Sequence, residues 1–199
     1  MSQISDKIVT ELKSWDWDFI IDFGINHVSN IKGNQYNFWR GSLIETVISM
    51  QDDNLKFVGD QENHKDFNWE RFGITVECKS LFNKSLYDQR GKLKSSLRFN
   101  LCSLRSNRKI KQDEICDLIL VVMKDGSFIV PKHIAIHNVV QSTNKVDIVV
   151  ASNHIIEISG PINLTKTIQK VDINEVVKNF QKTLINTAKQ NFNHTRGNA

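Results

Sequence analysis

Asp66, Glu77 and Lys79 are the residues of this sequence whose types and spacing suit chemistry. Residues 74–79 (ITVECK) alternate apolar and polar, the period of a strand with two unlike faces. Alternation puts Thr75, Glu77 and Lys79 on one face and Ile74, Val76 and Cys78 on the other. The apolar set belongs in a core, so Glu77 and Lys79 project from the opposite face, about 6.5–7 Å apart along the strand. Phe67 and Trp69 lead into Glu70-Arg71-Phe72-Gly73, and residues 66–80 read as a β-hairpin. A two-residue turn at Glu70-Arg71 pairs Asp66 with Thr75; a four-residue turn from Glu70 to Gly73 pairs it with Glu77. Either even-length turn brings Asp66 to the face of Glu77 and Lys79, because only an odd slip would flip it. Two carboxylates can hold a hard divalent cation through oxygen. A bound cation polarises a phosphate and acidifies water, and an adjacent lysine orients or deprotonates that water. The grouping suits phosphodiester hydrolysis.

The elements that must position these residues are legible in outline. Residues 3–14 carry Ile4, Ile8, Val9 and Leu12 at helical spacing, and residues 41–51 carry Leu43, Ile44, Val47, Ile48 and Met50. The polar, glycine- and asparagine-rich stretch 24–38 reads as loop. A short strand is expected at 55–58, with a loop from Gly59 to Lys65. Residues 117–123 (DLILVVM) form an apolar run typical of a strand buried on both faces. Further strands are expected at 97–104, at 128–131 and within 145–159, and a closing helix at 174–190. No repeat, linker or composition shift marks a boundary, so residues 1–199 read as a single α/β domain with a central mixed β-sheet flanked by helices.

Charge adds a second signal. The net charge is +4, but its distribution is uneven. Between Lys79 and Lys111 the only acid is Asp88, while Lys84, Arg90, Lys92, Lys94 and Arg98 supply positive charge. Acids gather before the motif, from Asp52 to Glu70. A basic run directly after a candidate phosphodiester site points to contact with a DNA backbone, with those five residues as the candidates.

Asp66 followed after an apolar strand by Glu77-Cys78-Lys79 resembles the signature of the PD-(D/E)xK nuclease superfamily. The resemblance spans about residues 41–131 and departs at Lys65, where the family name has proline. It implies a restriction endonuclease-like fold, metal binding by Asp66 and Glu77, and a water-positioning or activating role for Lys79. It also implies a helper acid on the preceding helix, a position matched by Glu45. The implied activity is Mg²⁺-dependent cleavage of double-stranded DNA, with Mn²⁺ able to substitute, most simply by a type II restriction enzyme acting as a homodimer on a palindromic site. Homing, repair and junction-resolving nucleases share these motifs, and a non-catalytic DNA-binding protein is the alternative from another class.

Other residues carry weaker signals. Asp60 competes with Asp66 for the first metal position, though nothing in the hairpin places it on the right face. His133 and His137 invite a zinc reading, but no cysteine or acid is spaced to complete it. Trp15, Trp17, Trp39 and Trp69 read as core or interface anchors. No Walker loop or GxSxG occurs. Three cysteines without metal-type spacing, no signal-peptide pattern and no membrane-length apolar run lead to the expectation of a cytoplasmic protein.

Overall fold

The computed structural model describes residues 5–28, 37–60, 65–103, 108–161, 176–179 and 181. Helices α1 (Asp6–Ser14), α2 (Trp17–Phe23) and α3 (Asn37–Ser49) come first, with a π-helical turn at Gly24–Val28 continuing α2. Among the described residues nine strands follow: β1 (Leu55–Asp60), β2 (Lys65–Trp69), β3 (Ile74–Leu81), β4 (Ser96–Ser103), β5 (Leu118–Met123), β6 (Gly126–Pro131), β7 (Val139–Gln141), β8 (Lys145–Ala151) and β9 (Ile156–Ser159). Helix α4 (Lys132–His137) lies between β6 and β7.

Six strands form one mixed sheet in the order β1-β2-β3-β5-β6-β9, in which only β3 and β5 are parallel. The other three make a small antiparallel sheet, β4-β8-β7. The molecule is a single mixed α/β domain. Its larger sheet is covered on both faces, so two apolar cores flank it. One core joins Ile8, Leu12, Ile20, Ile44 and Ile48 of the helices to Phe67, Val76, Cys78, Leu118 and Leu120. The other joins Leu97, Phe99 and Ile148 of the small sheet to Ile119, Val121, Phe128 and Val130. Strand β5 serves both, and all six of its residues are buried, as an unbroken apolar run requires.

Several sequence expectations change here. The loop expected at 24–38 begins as the π turn, and α3 starts at Asn37, ahead of Gly41. Helix α2 went unseen because WDFIIDF is apolar nearly all round and shows no stripe; Trp17, Phe19, Ile20, Ile21 and Phe23 are all buried. β1 and β2 run two residues and one residue further into the expected 59–65 loop. His133 and His137 lie on the short helix α4, whose N-cap is Pro131. Helical residues 176–179 and 181 fall within the closing helix expected at 174–190, most of which lies outside the described residues. Trp15, Trp17 and Trp69 are buried core residues that pack on one another, as expected of anchors.

Two contacts fix the position of β3. The Thr75 amide and hydroxyl both donate to Asp117 Oδ2, at 2.9 and 2.8 Å, tying the start of β3 to the start of β5. At the other end, Phe82 follows β3 and lays its ring over Gly24. A Cβ at that glycine would come within 1.9 Å of the ring, so only glycine fits there. Among the described residues, no helix is long and apolar enough to cross a membrane.

Candidate functional site

Hairpin register decides how the acids meet. Trp69 pairs with Ile74, Asn68 with Thr75 and Phe67 with Val76, so the turn is the four-residue Glu70–Gly73 and Asp66 falls opposite Glu77. Gly73 closes that turn at φ +62°, a conformation that favours glycine. The tip is clamped from outside. Trp69 Nε1 donates to Asp52 Oδ2 at 2.8 Å, and Arg71 pairs with Glu11 of α1 at 2.8 Å and with Asp52 at 3.5 Å. Directly opposed residues in an antiparallel pair have Cα atoms about 4.5–5.5 Å apart. The two acids are therefore nearer than a diagonal pairing would allow.

Asp66 is aimed by the backbone: the Cys78 amide donates to its Oδ2 at 2.7 Å. Glu77 is 3% exposed and stands on the face of the larger sheet that carries Ile119 into the second core. Its Oε1 accepts from Lys79 Nζ. Its Oε2 is buried and has no hydrogen-bond partner among the described residues. Lys79, with its side chain 24% exposed, connects the pair to solvent. Glu45 of α3 completes the group, and its carboxyl feels the charges of Asp66, Lys79 and Glu77. The four residues singled out from sequence are thus one electrostatic cluster contributed by α3, β2 and β3.

That cluster holds three acids against one cation, and the titration behaviour follows. Burial, with Asp66 adding to it, pushes the Glu45 carboxyl well above its ordinary value. Burial also raises Asp66, against the pull of Lys79 and the Cys78 amide. Glu77 is pushed up to about 8 by burial and by Asp66, despite Lys79. For Lys79, burial works downward, but Glu77 and Asp66 outweigh it and hold the ammonium above its usual range. The sequence left open whether this lysine orients or deprotonates water. With its pKa raised in the metal-free protein, it is a standing positive charge and hydrogen-bond donor, which suits the orienting role.

The residues fit a divalent cation through oxygen. Glu77 Oε2 is a buried carboxyl oxygen without a hydrogen-bond partner among the described residues, and a cation there would satisfy it as carboxylate. Among the described residues, no three His, Cys, Asp or Glu side chains converge as a complete cage. Mg²⁺ does not require one, since it is commonly held by one or two carboxylates plus waters and phosphate oxygens. Asp66 and Glu77 are the pair placed to supply those carboxylates. Asp60 ends β1 opposite Lys65, one residue before Asp66.

The five basic candidates divide once their partners are seen. Lys84 Nζ donates to the Arg98 carbonyl at 2.8 Å and Lys94 Nζ to the Ser85 carbonyl at 2.6 Å, so both brace the 81–96 connection. Arg98 is exposed but ion-paired with Asp147 at 2.6 Å. Arg90 and Lys92 are exposed at a turn built on Asp88, whose Oδ1 accepts both of their amides at 2.8 and 2.9 Å. That turn leaves their side chains outward.

Sequence reasoning missed Asp117, which positions β3, and Asp52, which clamps the hairpin tip. Asp117 stood in view at the head of the apolar run, but nothing local tied it to Thr75. No protein-family model matches the chain, and no curated protein matches it.

Proposed function

We propose that the chain is a Mg²⁺-dependent endonuclease that hydrolyses phosphodiester bonds in double-stranded DNA, of the restriction type and active as a homodimer. The observation that carries this reading is the opposition of Asp66 and Glu77 on one hairpin, with Glu77 Oε2 buried and unpartnered beside Lys79. A cation held by those two carboxylates would supply Lewis acidity at a phosphate oxygen and acidify an attacking water. Asp66 is kept in position by the Cys78 amide. Lys79 orients the nucleophile and offsets the charge that builds up on phosphate. Glu45 brings a third carboxyl to the cluster from the helix side.

Arg90 and Lys92 are the outward charges placed to touch DNA phosphates. A two-fold dimer would match a palindromic site, each copy cutting one strand.

Incubation with mixed plasmid and phage DNA, with Mg²⁺ or with EDTA, tests the proposal. Discrete fragments that depend on metal support it. A smear or nicking moves the reading to a repair or structure-selective nuclease of the same chemistry. Intact DNA with Mg²⁺ and Mn²⁺, on linear and branched substrates alike, would leave a non-catalytic DNA-binding protein.

A further inference from the structure

A cavity of about 610 Å³ opens between residues 109–115 and the β7–β8 turn, away from the Asp66–Lys79 cluster. Its size lies within the roughly 300–1,000 Å³ of pockets that enclose small ligands. The floor is apolar, made by Ile110, Ile115, Ile136 and Val139. Lys109 and Lys111 stand exposed at the rim, and neither pairs with an acid among the described residues. Among the described residues, no Asp or Glu lines the cavity. Two acids share the 109–115 segment: Asp113 is exposed, and Glu114 accepts from Arg108 at 2.8 Å and from the Lys111 amide at 2.9 Å.

The walls are fixed. The Gln141 side chain accepts from the Ile110 amide at 3.1 Å and donates to the Arg108 carbonyl at 2.6 Å, clipping the loop to β7. The β7–β8 turn is closed by the Ser142 amide donating to the Lys145 carbonyl at 2.9 Å.

An apolar floor under a positive rim matches a ligand with a flat apolar face and a negative charge beside it. In a DNA duplex the base faces are hidden in the stack, and only groove edges and phosphates are presented. A single strand offers both a free base face and its phosphate. We infer that this groove takes up an unpaired nucleotide of the nucleic acid, its base over the isoleucine floor and its phosphate at Lys109 and Lys111. The inference rests on reading the Asp66–Lys79 cluster as a phosphodiester site, and it names the strand segment that such a site would handle alongside.

The test measures binding without turnover. A fluorescein-labelled twelve-nucleotide single strand carrying 5-iodouracil is titrated with the full chain in EDTA, and then photo-crosslinked. Crosslinks should map to 109–115 or 136–143. The double variant Lys109→Glu/Lys111→Glu, whose changes are on exposed side chains, should weaken single-strand binding about tenfold or more. It should weaken a blunt duplex of the same length less. Unaltered single-strand affinity in the double variant, an equal loss on duplex, or crosslinks elsewhere would overturn the inference. Groove binding in a protein that never cleaves would instead overturn the nuclease reading alone.

Discussion

The Cys78 amide donates to Asp66 Oδ2 at 2.7 Å, so the strand that carries Glu77 and Lys79 also aims the carboxylate opposite them. The middle residue of the Glu77-Cys78-Lys79 triplet therefore acts through both its atoms of interest. Its thiol is buried in the helix-side core and its amide orients the neighbouring strand's acid.

Asp66→Asn and Glu77→Gln should each abolish detectable cleavage while leaving DNA affinity in EDTA within a few fold. Lys79→Ala should lower the cleavage rate by about 10²–10³, the range for removing one positioned donor from a developing anion. Turnover within tenfold of the parent protein in all three variants would remove these residues from the site.

Metal binding should appear as stability. At one hundred times its dissociation constant, a cation that binds only the folded chain adds about 2.7 kcal/mol. At roughly 2–4 °C per kcal/mol for a domain of this size, Mg²⁺ should raise the melting midpoint by about 5–11 °C. Glu77→Gln should lose most of that shift. A midpoint indifferent to Mg²⁺ and Mn²⁺ in the parent protein would argue against any cation at this hairpin.

The basic residues should separate by role. Replacing Arg90 and Lys92 with Ala should weaken duplex binding and reduce the slope of log affinity against log salt by about 1.8, with thermal stability unchanged. Lys94→Ala should lower stability as well, since its ammonium holds the Ser85 carbonyl. Equal salt slopes for the parent and the Arg90/Lys92 double variant would show that this turn does not meet phosphate.

Acid should loosen the hairpin tip. Burial works against the Asp52 carboxylate, but donors from Asn54 and Trp69, with Arg71 nearby, bring its pKa below the ordinary value. A carboxyl depressed in the folded state contributes stability above its unfolded value, near 3.9, and loses it as pH falls through the folded one. Asp52→Asn should therefore cost about 1–3 kcal/mol at neutral pH. The gap to the parent should narrow in denaturant titrations taken from about pH 4 downward. A gap that stays constant with pH would mean that the charge at Asp52 is not what clamps Trp69.

The candidate site was legible because it is written locally. Strand alternation put Glu77 and Lys79 together, and parity alone brought Asp66 to their face. The turn length, left open between two and four residues, is fixed by contacts far off in sequence, with Glu11 on Arg71 and Asp52 on Trp69. Burial was the least legible quantity. The face bearing Glu77 looked like the outer face of a hairpin, and no local pattern announced that a second apolar core would form on that side. The same limit hid the partners of Lys84 and Lys94, which are backbone carbonyls 14 and 9 residues away. A charge run shows where positive residues lie along the chain and not which of them are already engaged.

The ring of Phe82 on Gly24 bears on how far this protein can be trimmed. The stretch from 41 to 131 contains every residue of the candidate site, and it invites excision as a minimal fragment. Such a fragment would lack Leu12, Ile20 and Ile21, which share one core with Phe67 and Val76, and would uncover the end of β3 at Phe82. It would also lose β8 and β9, exposing the second core and one edge of the larger sheet. The motif is compact in sequence, but the smallest unit able to present it reaches back at least to α1 and forward to β9.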